Sequence, residues 1–223
     1  MELNVRAVTF DCYGTLVDWE SGIHAWAAAL LARKGATGKV TPEEFYAAWE
    51  EHQFRLLVPY RSYRDITARA VERVLRDLKL PVEPEDGPSL ADAIPTWRPF
   101  PDTADGLRRL GQRHKVGIIS NMDNPVLFQT IQRLGAPVNF RVTAEDVHAY
   151  KPDPKPFARA VALLALEPQE ILHAGFGWRY DMAPARALGM RTAFVNRGGR
   201  PRPAGVECDV EVATVGALAD LLG

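Results

Sequence analysis

The segment Phe10-Asp11-Cys12-Tyr13-Gly14-Thr15-Leu16 follows an apolar run over residues 5–10 that alternates like a β-strand. Gly14 allows a tight loop, so Asp11 is expected at the carboxyl end of the strand, among backbone N–H groups. A carboxylate in that position can attack an electrophile and form a covalent intermediate. The competing interpretation is a strand that simply ends in a turn closed by the Asp11 side chain.

Four more short apolar runs follow along the chain, over residues 116–119, 141–143, 171–174 and 192–195. Each comes after a segment with helical spacing and ends near Gly, Asn or Asp. Strands that alternate with helices of about ten residues or more are typical of βαβ units. The predicted fold class is therefore α/β, a Rossmann-like parallel sheet with helices on both faces.

The stretch between residues 16 and 101 has helical periodicity and almost no strand signal. It predicts four helices, over 20–34, 42–57, 64–78 and 89–96, the second of which begins with a Thr41 cap, Pro42 and Glu44. An all-helical block inserted after the first strand predicts a cap over the edge where parallel sheets bind ligands. We expect a core domain of residues 1–16 and 100–223 and a helical cap domain of residues 17–99.

Polar side chains also follow the later strands. Ser120 and Asn121 come directly after the second strand and offer donors for an anion. Lys151 follows the third strand, and Asp181 ends the glycine-containing loop after the fourth. Each has an ordinary explanation as a helix cap or a solvated loop residue, but polar groups at four successive strand ends favour a site at this edge.

These segments resemble the haloacid dehalogenase superfamily, whose four motifs are matched in order by 11–15, Ser120, Lys151 and Asp181. The resemblance covers essentially the whole chain, including the helical cap. It implies that Asp11 is the nucleophile, that Thr15 and Ser120 orient it or the substrate anion, and that Lys151 is its charge partner. The resemblance also implies that Asp181 is the catalytic carboxylate of the fourth motif.

Two departures separate the chain from the Mg²⁺-dependent phosphatases of that superfamily. Their second Asp, an acid for the leaving oxygen, is replaced by Tyr13, whose ordinary pKa of about 10 suits that role poorly. Their metal-binding Asp after the fourth-motif glycine is replaced by Phe176, which removes an oxygen ligand. Both changes resemble the 2-haloacid dehalogenases (type II), which use no metal or other cofactor.

The resemblance implies hydrolysis of a 2-haloalkanoate to a 2-hydroxyalkanoate and halide, through an aspartyl ester. A Mg²⁺-dependent phosphatase for small phosphate esters is the first alternative. A catalytically weak member that binds a small anion or a protein partner is the second. The actual substrate, its chirality and the oligomeric state are left open by the sequence.

The halide side of the predicted pocket departs from the resembled enzymes, which place an arginine there after a tryptophan of the cap. Glu50 stands in that neighbourhood and would repel a halide. Arg55 and Arg61 are the candidate replacements, with solvated helix arginines as the competing interpretation. Phe176 and Trp178 are expected to line the pocket, as are Tyr13 and Asn121.

Composition sets the remaining expectations. The 223 residues carry 27 Lys+Arg and 28 Asp+Glu, a formal charge of −1, which argues against nucleic acid as a partner. No apolar run reaches the about 20 residues that cross a membrane, and the start of the chain is unlike a signal peptide. We expect a cytoplasmic enzyme with a small anionic substrate. Trp26 and Leu30, apolar residues of the cap, suggest a homodimer.

Overall fold

The computed structural model describes residues 3–199, 201–203 and 205–223. Within them six strands form one parallel sheet in the order β3-β2-β1-β4-β5-β6. The strands are β1 (Ala7–Phe10), β2 (Lys115–Ser120), β3 (Phe140–Thr143), β4 (Ile171–Gly175), β5 (Arg191–Val195) and β6 (Val210–Val212). The predicted α/β parallel sheet is confirmed. The Gly-, Pro- and Arg-rich stretch 198–205 predicts a surface loop before β6, and residues 200 and 204 of it lie outside the described part.

The central strand β1 ends at the point in the sheet where the strand order reverses, and the first motif follows it. β1 pairs with β2 on one side and β4 on the other, so Phe10 lies opposite both Ile118 and Ala174. Because successive connections leave β1 toward opposite sides, a crevice opens at its carboxyl end. Asp11 is the next residue and lies in that crevice.

Side chains of the sheet alternate between two apolar clusters. Val8 and Phe10 belong to the larger one, whereas Ala7 belongs to the smaller. The helices between and after the later strands are α5 (Thr103–Leu110), α6 (Asn124–Arg133), α7 (Ala144–Val147), α8 (Lys155–Leu164), α9 (Ala183–Ala187) and α10 (Val215–Leu222). The smaller cluster includes residues of α8 and α9, and the larger includes residues of α5, α6 and α10, so helices cover both faces as predicted.

Four helices fill the chain between β1 and α5, as predicted. They are α1 (Trp19–Arg33), α2 (Pro42–Arg55), α3 (Tyr63–Asp77) and α4 (Asp86–Ala93), with a 3₁₀ turn over Ile94–Thr96. The capping box at the start of α2 is present, since Thr41 and Glu44 bond to each other's backbone N–H. α4 begins three residues earlier than predicted because Pro88 falls in the first turn, where a missing N–H costs nothing.

The chain enters and leaves this helical block along two adjacent segments. Asp18 N–H donates to the Arg98 carbonyl at 2.9 Å, and Phe100 N–H donates to the Leu16 carbonyl at 3.0 Å. These bonds tie the two connections together close to the predicted boundaries at 16/17 and 99/100. The division into core and cap domains remains a prediction.

The residues proposed as dimer surface are buried within the chain's own cap. Trp26 is 9% exposed and donates its indole N–H to Ser89 at 3.1 Å, while Leu30 is fully buried. The apolar positions that suggested a homodimer are therefore core positions, and the homodimer stays a prediction without that support. None of the helices in the described residues has the length and apolar character needed to cross a membrane.

Candidate active site

The four predicted motifs meet at the carboxyl edge of the sheet around one ammonium group. Lys151 Nζ donates to Asp11 Oδ1 at 2.8 Å, to Asp181 Oδ1 at 2.7 Å and to the Ile119 carbonyl at 3.0 Å. An ammonium has three N–H donors, so these acceptors satisfy all of them. The Lys151 side chain is 2% exposed and lies well inside the distance of about 6 Å that charge stabilisation of Asp11 requires.

Asp11 has a partner on each carboxylate oxygen. Oδ1 accepts from Lys151, and Oδ2 accepts from Thr15 Oγ1 at 2.9 Å. Burial raises the pKa of Asp11 from 3.8 to about 6, with the Lys151 ammonium opposing the rise and Asp181 adding to it. Asp11 is therefore ionised at neutral pH but carries little solvation, which leaves its oxygens available to attack.

Asp181 differs from Asp11 in that its pKa is lowered. Burial alone would raise its pKa, but Lys151 and His173 outweigh burial and lower the pKa to about 2. For Lys151, burial acts to lower the pKa, and the two carboxylates outweigh it and raise the pKa above its ordinary value. The ammonium and Asp181 thus remain charged across the physiological range, so the group whose charge changes near neutrality is Asp11.

The loop after β4 approaches Asp181 so closely that it requires glycine. A Cβ on Gly175 would lie 2.7 Å from Asp181 Cγ, and one on Gly177 would lie 2.8 Å from Oδ2. Gly177 N–H donates to that oxygen at 3.1 Å. The glycines predicted to loosen this loop therefore have a steric reason, because they let the backbone close around the carboxylate.

His173 belongs to the site and was not predicted as part of it. Its Nε2 lies 3.3 Å from Asp181 Oδ1, and its Nδ1 lies 3.0 Å from Thr9 Oγ1. Burial lowers the pKa of His173, so the ring is neutral. Since the ionised Asp181 has no proton to give, we assign the hydrogen to Nε2, which donates to the carboxylate. A histidine inside the buried apolar strand β4 was the available signal.

Asn121 lies in the predicted pocket but has a different role from the one expected. Its Oδ1 accepts from the Lys151 backbone N–H at 2.7 Å, and its Nδ2 donates to the Lys151 carbonyl at 3.2 Å. The side chain therefore fixes the backbone of Lys151 rather than presenting free donors to an anion. Ser120 Oγ, which is buried, accepts from Met122 N–H at 3.3 Å and keeps its own hydroxyl proton for another acceptor.

A cavity of about 100 Å³ lies between this edge and the cap. Seven of the predicted residues line it, namely Asp11, Tyr13, Ser120, Asn121, Lys151, Phe176 and Asp181. The sequence did not place in the pocket a further set of lining residues, among them Tyr46, Gln53, Tyr63, Met122 and Tyr180. The spacing of Tyr46, Trp49, Glu50 and Gln53, all on one face of α2, is the signal that could have found the cap side.

Three predicted substrate-binding residues lie elsewhere. Arg55 forms an ion pair with Glu51 on the exposed surface, because it lies six residues after Trp49, about 240° around the helix. Arg61 is exposed, and its backbone carbonyl accepts from the Tyr150 hydroxyl at 2.7 Å. Trp178 stacks on Phe194 of β5 with the ring centroids 3.8 Å apart. None of the three lines the cavity as the described residues define it.

Tyr13 is placed where it cannot serve as an acid. Its ring borders the cavity, but its hydroxyl lies 2.7 Å from Thr130 Oγ1. Thr130 donates its only hydroxyl proton to the Val126 carbonyl at 3.1 Å, so Tyr13 donates to Thr130. Burial raises the pKa of Tyr13 well above its ordinary value. The phenol proton is therefore committed to Thr130 and is not available to a leaving group.

The chain is similar to known proteins over nearly its whole length. A family model described as haloacid dehalogenase-like hydrolase matches residues 5–189. The (S)-2-haloacid dehalogenase 4A of Burkholderia cepacia is 27% identical over 211 residues, which is 89% of this chain and 86% of that protein. A solved structure of an L-2-haloacid dehalogenase aligns with a TM-score of 0.84 at 26% identity, over 98% of both chains. A defluorinating L-2-haloacid dehalogenase aligns at 0.82 and 27%, over 98% of this chain and 95% of that one.

Proposed function

The chain belongs to the haloacid dehalogenase-like hydrolases, and on that premise we propose that it hydrolyses 2-haloalkanoates to 2-hydroxyalkanoates and halide. The observation that carries the proposal is the Asp11 carboxylate, which accepts from Lys151 at 2.8 Å and lines a small cavity. The similar proteins reported above are dehalogenases of 2-haloacids. The cavity has a volume of about 100 Å³, which suits a substrate of few atoms.

The first step is displacement at C2 of the substrate. An Asp11 oxygen attacks C2, the C–O bond forms as the carbon–halogen bond breaks, and the halide leaves with the electron pair. Attack from the side opposite the halogen inverts C2. Halide leaves as a stable anion, so this displacement step needs no acid and is unaffected by the commitment of the Tyr13 proton to Thr130.

The second step is hydrolysis of the ester. Attack through Oδ2 leaves Oδ1 as the ester carbonyl oxygen, at which Lys151 already donates. When water adds to the carbonyl carbon, that ammonium faces the negative charge that develops on Oδ1. Asp181, the carboxylate that shares the Lys151 ammonium with Asp11, orients the water once Asp11 is esterified. The bond between the aspartyl carbon and the product oxygen then breaks. The product oxygen takes one proton of the attacking water, the second proton is released to solvent, and the Asp11 carboxylate is regenerated. Because C2 is untouched, its inverted configuration is kept.

The proposed reaction uses no metal or other cofactor. The described residues contain no group of three or more His, Cys, Asp and Glu side chains arranged to hold a metal ion. Phe176, which stands in place of the metal-binding Asp of the phosphatases, lines the cavity. Its ring packs directly on Gly14, so closely that a Cβ at position 14 would lie 2.6 Å from it. The cytoplasmic location and the homodimer remain predictions.

A paired assay tests this function. The protein, with and without chelator, is given 2-chloropropionate, and chloride release is measured; phosphate release from an aryl phosphate is measured in parallel with added Mg²⁺. We expect chelator-resistant chloride release that is lost in Asp11→Asn, whose fold is checked by circular dichroism. Phosphate release that depends on Mg²⁺, without chloride release, would contradict the proposal. Inactivity on both, with the fold intact, would favour a binding role.

A further inference from the structure

The charges around the catalytic cavity do not balance. Among the described lining residues, three carry carboxylates (Asp11, Glu50 and Asp181) and one carries an ammonium, Lys151, for a formal charge of −2 when all are ionised. All three ammonium hydrogens of Lys151 are donated, to Asp11, to Asp181 and to the Ile119 carbonyl. The cavity therefore offers no uncommitted Lys or Arg to the carboxylate of a substrate.

Glu50 contributes its charge from the cap side. It is an exposed residue of α2, and its Oε1 accepts from the Tyr46 hydroxyl at 3.3 Å, a neutral partner that leaves the charge in place. Glu50 and Asp11 line the same small cavity, so a substrate bound against Asp11 faces Glu50 across it. Across roughly 6 Å of a partly solvated cleft, a like charge changes binding by roughly tenfold.

The same residue also lines an adjoining cavity of about 530 Å³ between the cap and the core. Glu50, Trp19, Tyr46 and Phe176 border both spaces. Arg197 is the one Lys or Arg among the described residues of the larger cavity, and Asp102 binds its guanidinium at 2.8 and 3.1 Å. The second space therefore supplies no uncommitted arginine either, and Glu50 affects the charge of any group that extends toward it.

We propose that Glu50 is a specificity-determining residue that disfavours anionic substrates and extends the reaction to neutral 2-haloamides. The inference rests on the proposed dehalogenation. For 2-chloropropionamide, an Asp11 oxygen displaces chloride from C2, and water then cleaves the ester at the aspartyl carbonyl. The products are 2-hydroxypropionamide, chloride and one proton, and Asp11 is regenerated.

The test uses 2-chloropropionate and 2-chloropropionamide, which have nearly the same shape and differ in charge. Chloride release gives kcat/KM for each, and the ratio of the amide value to the carboxylate value is compared between wild type and Glu50→Gln. Both substrates expel the same halide, so its charge cancels in the ratio. We expect the wild type to release chloride from both and Glu50→Gln to lower the ratio about tenfold.

Glu51→Gln is the matched control. Glu51 is the next residue of α2, is exposed, pairs with Arg55 and lies outside the lining of both cavities. Glu51→Gln removes the same charge from the protein as Glu50→Gln. We expect its ratio of amide to carboxylate kcat/KM to stay at the wild-type value.

The outcomes separate the two proposals. Chloride release from 2-chloropropionate alone, a ratio unchanged in Glu50→Gln, or an equal shift in Glu51→Gln would overturn the role of Glu50 and leave the dehalogenation standing. Absence of chloride release from both substrates by the folded wild type would overturn the dehalogenation itself, and the role of Glu50 with it.

Discussion

Replacement of Asp11 by Asn should make the protein relatively more stable as the pH rises. The wild-type carboxylate is 8% exposed, and burial raises its pKa from 3.8 to about 6. A raised acid pKa means that the folded state binds the proton more tightly than the unfolded state. The stability contributed by protonated Asp11 is complete below pH 3.8 and is lost as the pH rises through 6. Asn has nearly the same shape and no such loss.

The size of the effect follows from the two pKa values. A difference of 2.2 units between 3.8 and about 6 corresponds to about 3 kcal/mol when Asp11 is fully ionised in both states. About half of this, roughly 1.4 kcal/mol, develops between pH 5 and pH 8 by the same linkage relation. The hydrogen bonds that Asn loses add an offset that does not depend on pH, so the change with pH isolates the titration.

Urea unfolding of both proteins at pH 5, 6, 7 and 8 measures the free energy of unfolding. We expect the value for Asp11→Asn minus that for wild type to grow by roughly 1.4 kcal/mol across this range. Glu51→Gln, which removes an exposed carboxylate, should vary much less over the same range. A difference for Asp11→Asn that is flat or shrinks with pH would show that Lys151 outweighs burial and that the nucleophile has no raised pKa.

The same site makes two further predictions. kcat/KM for chloride release should fall about tenfold per pH unit below about 6, as Asp11 protonates. Thr15→Val should move this acidic part of the pH profile upward by roughly 0.5–1 pH unit, because it removes a hydrogen bond to the ionised carboxylate. An unchanged pH profile would contradict the role of Thr15 in stabilising ionised Asp11. Gly175→Ala should cost about 1–3 kcal/mol in urea unfolding because its Cβ would meet Asp181 at 2.7 Å. Gly216→Ala, in a helix with no neighbour closer than 3.7 Å, should stabilise by about 0.5–1 kcal/mol, and equal effects at the two positions would refute the steric reasoning.

The order of strands and helices could be predicted because each is encoded locally. Apolar runs bounded by Gly, Asn or Asp located five of the strands, and the Thr41 cap with Pro42 located the start of α2. The start of α4 could not be located exactly, because a proline such as Pro88 is tolerated within a first turn as well as before one. Burial of Trp26 and Leu30 against other cap helices could not be predicted, since it depends on how those helices pack.

The catalytic edge could be predicted because topology alone brings strand ends together. Lys151 lies 140 residues after Asp11 and 30 residues before Asp181, and both carboxylates accept from its ammonium. Topology does not determine which way a side chain points from a helix or a loop. Arg55 is in the right helix but on the wrong face, and Trp178 turns toward Phe194.

The most direct test of the central claim follows an oxygen atom. In the proposed mechanism Asp11 gives its own oxygen to the substrate and regains one from water. In a single turnover with enzyme in excess in ¹⁸O-labelled water, the 2-hydroxypropionate should carry ordinary oxygen at C2, and the peptide containing Asp11 should gain about 2 Da by mass spectrometry. Label at C2 of the product, with none in the Asp11 peptide, would show that water attacks the substrate directly and would contradict the account.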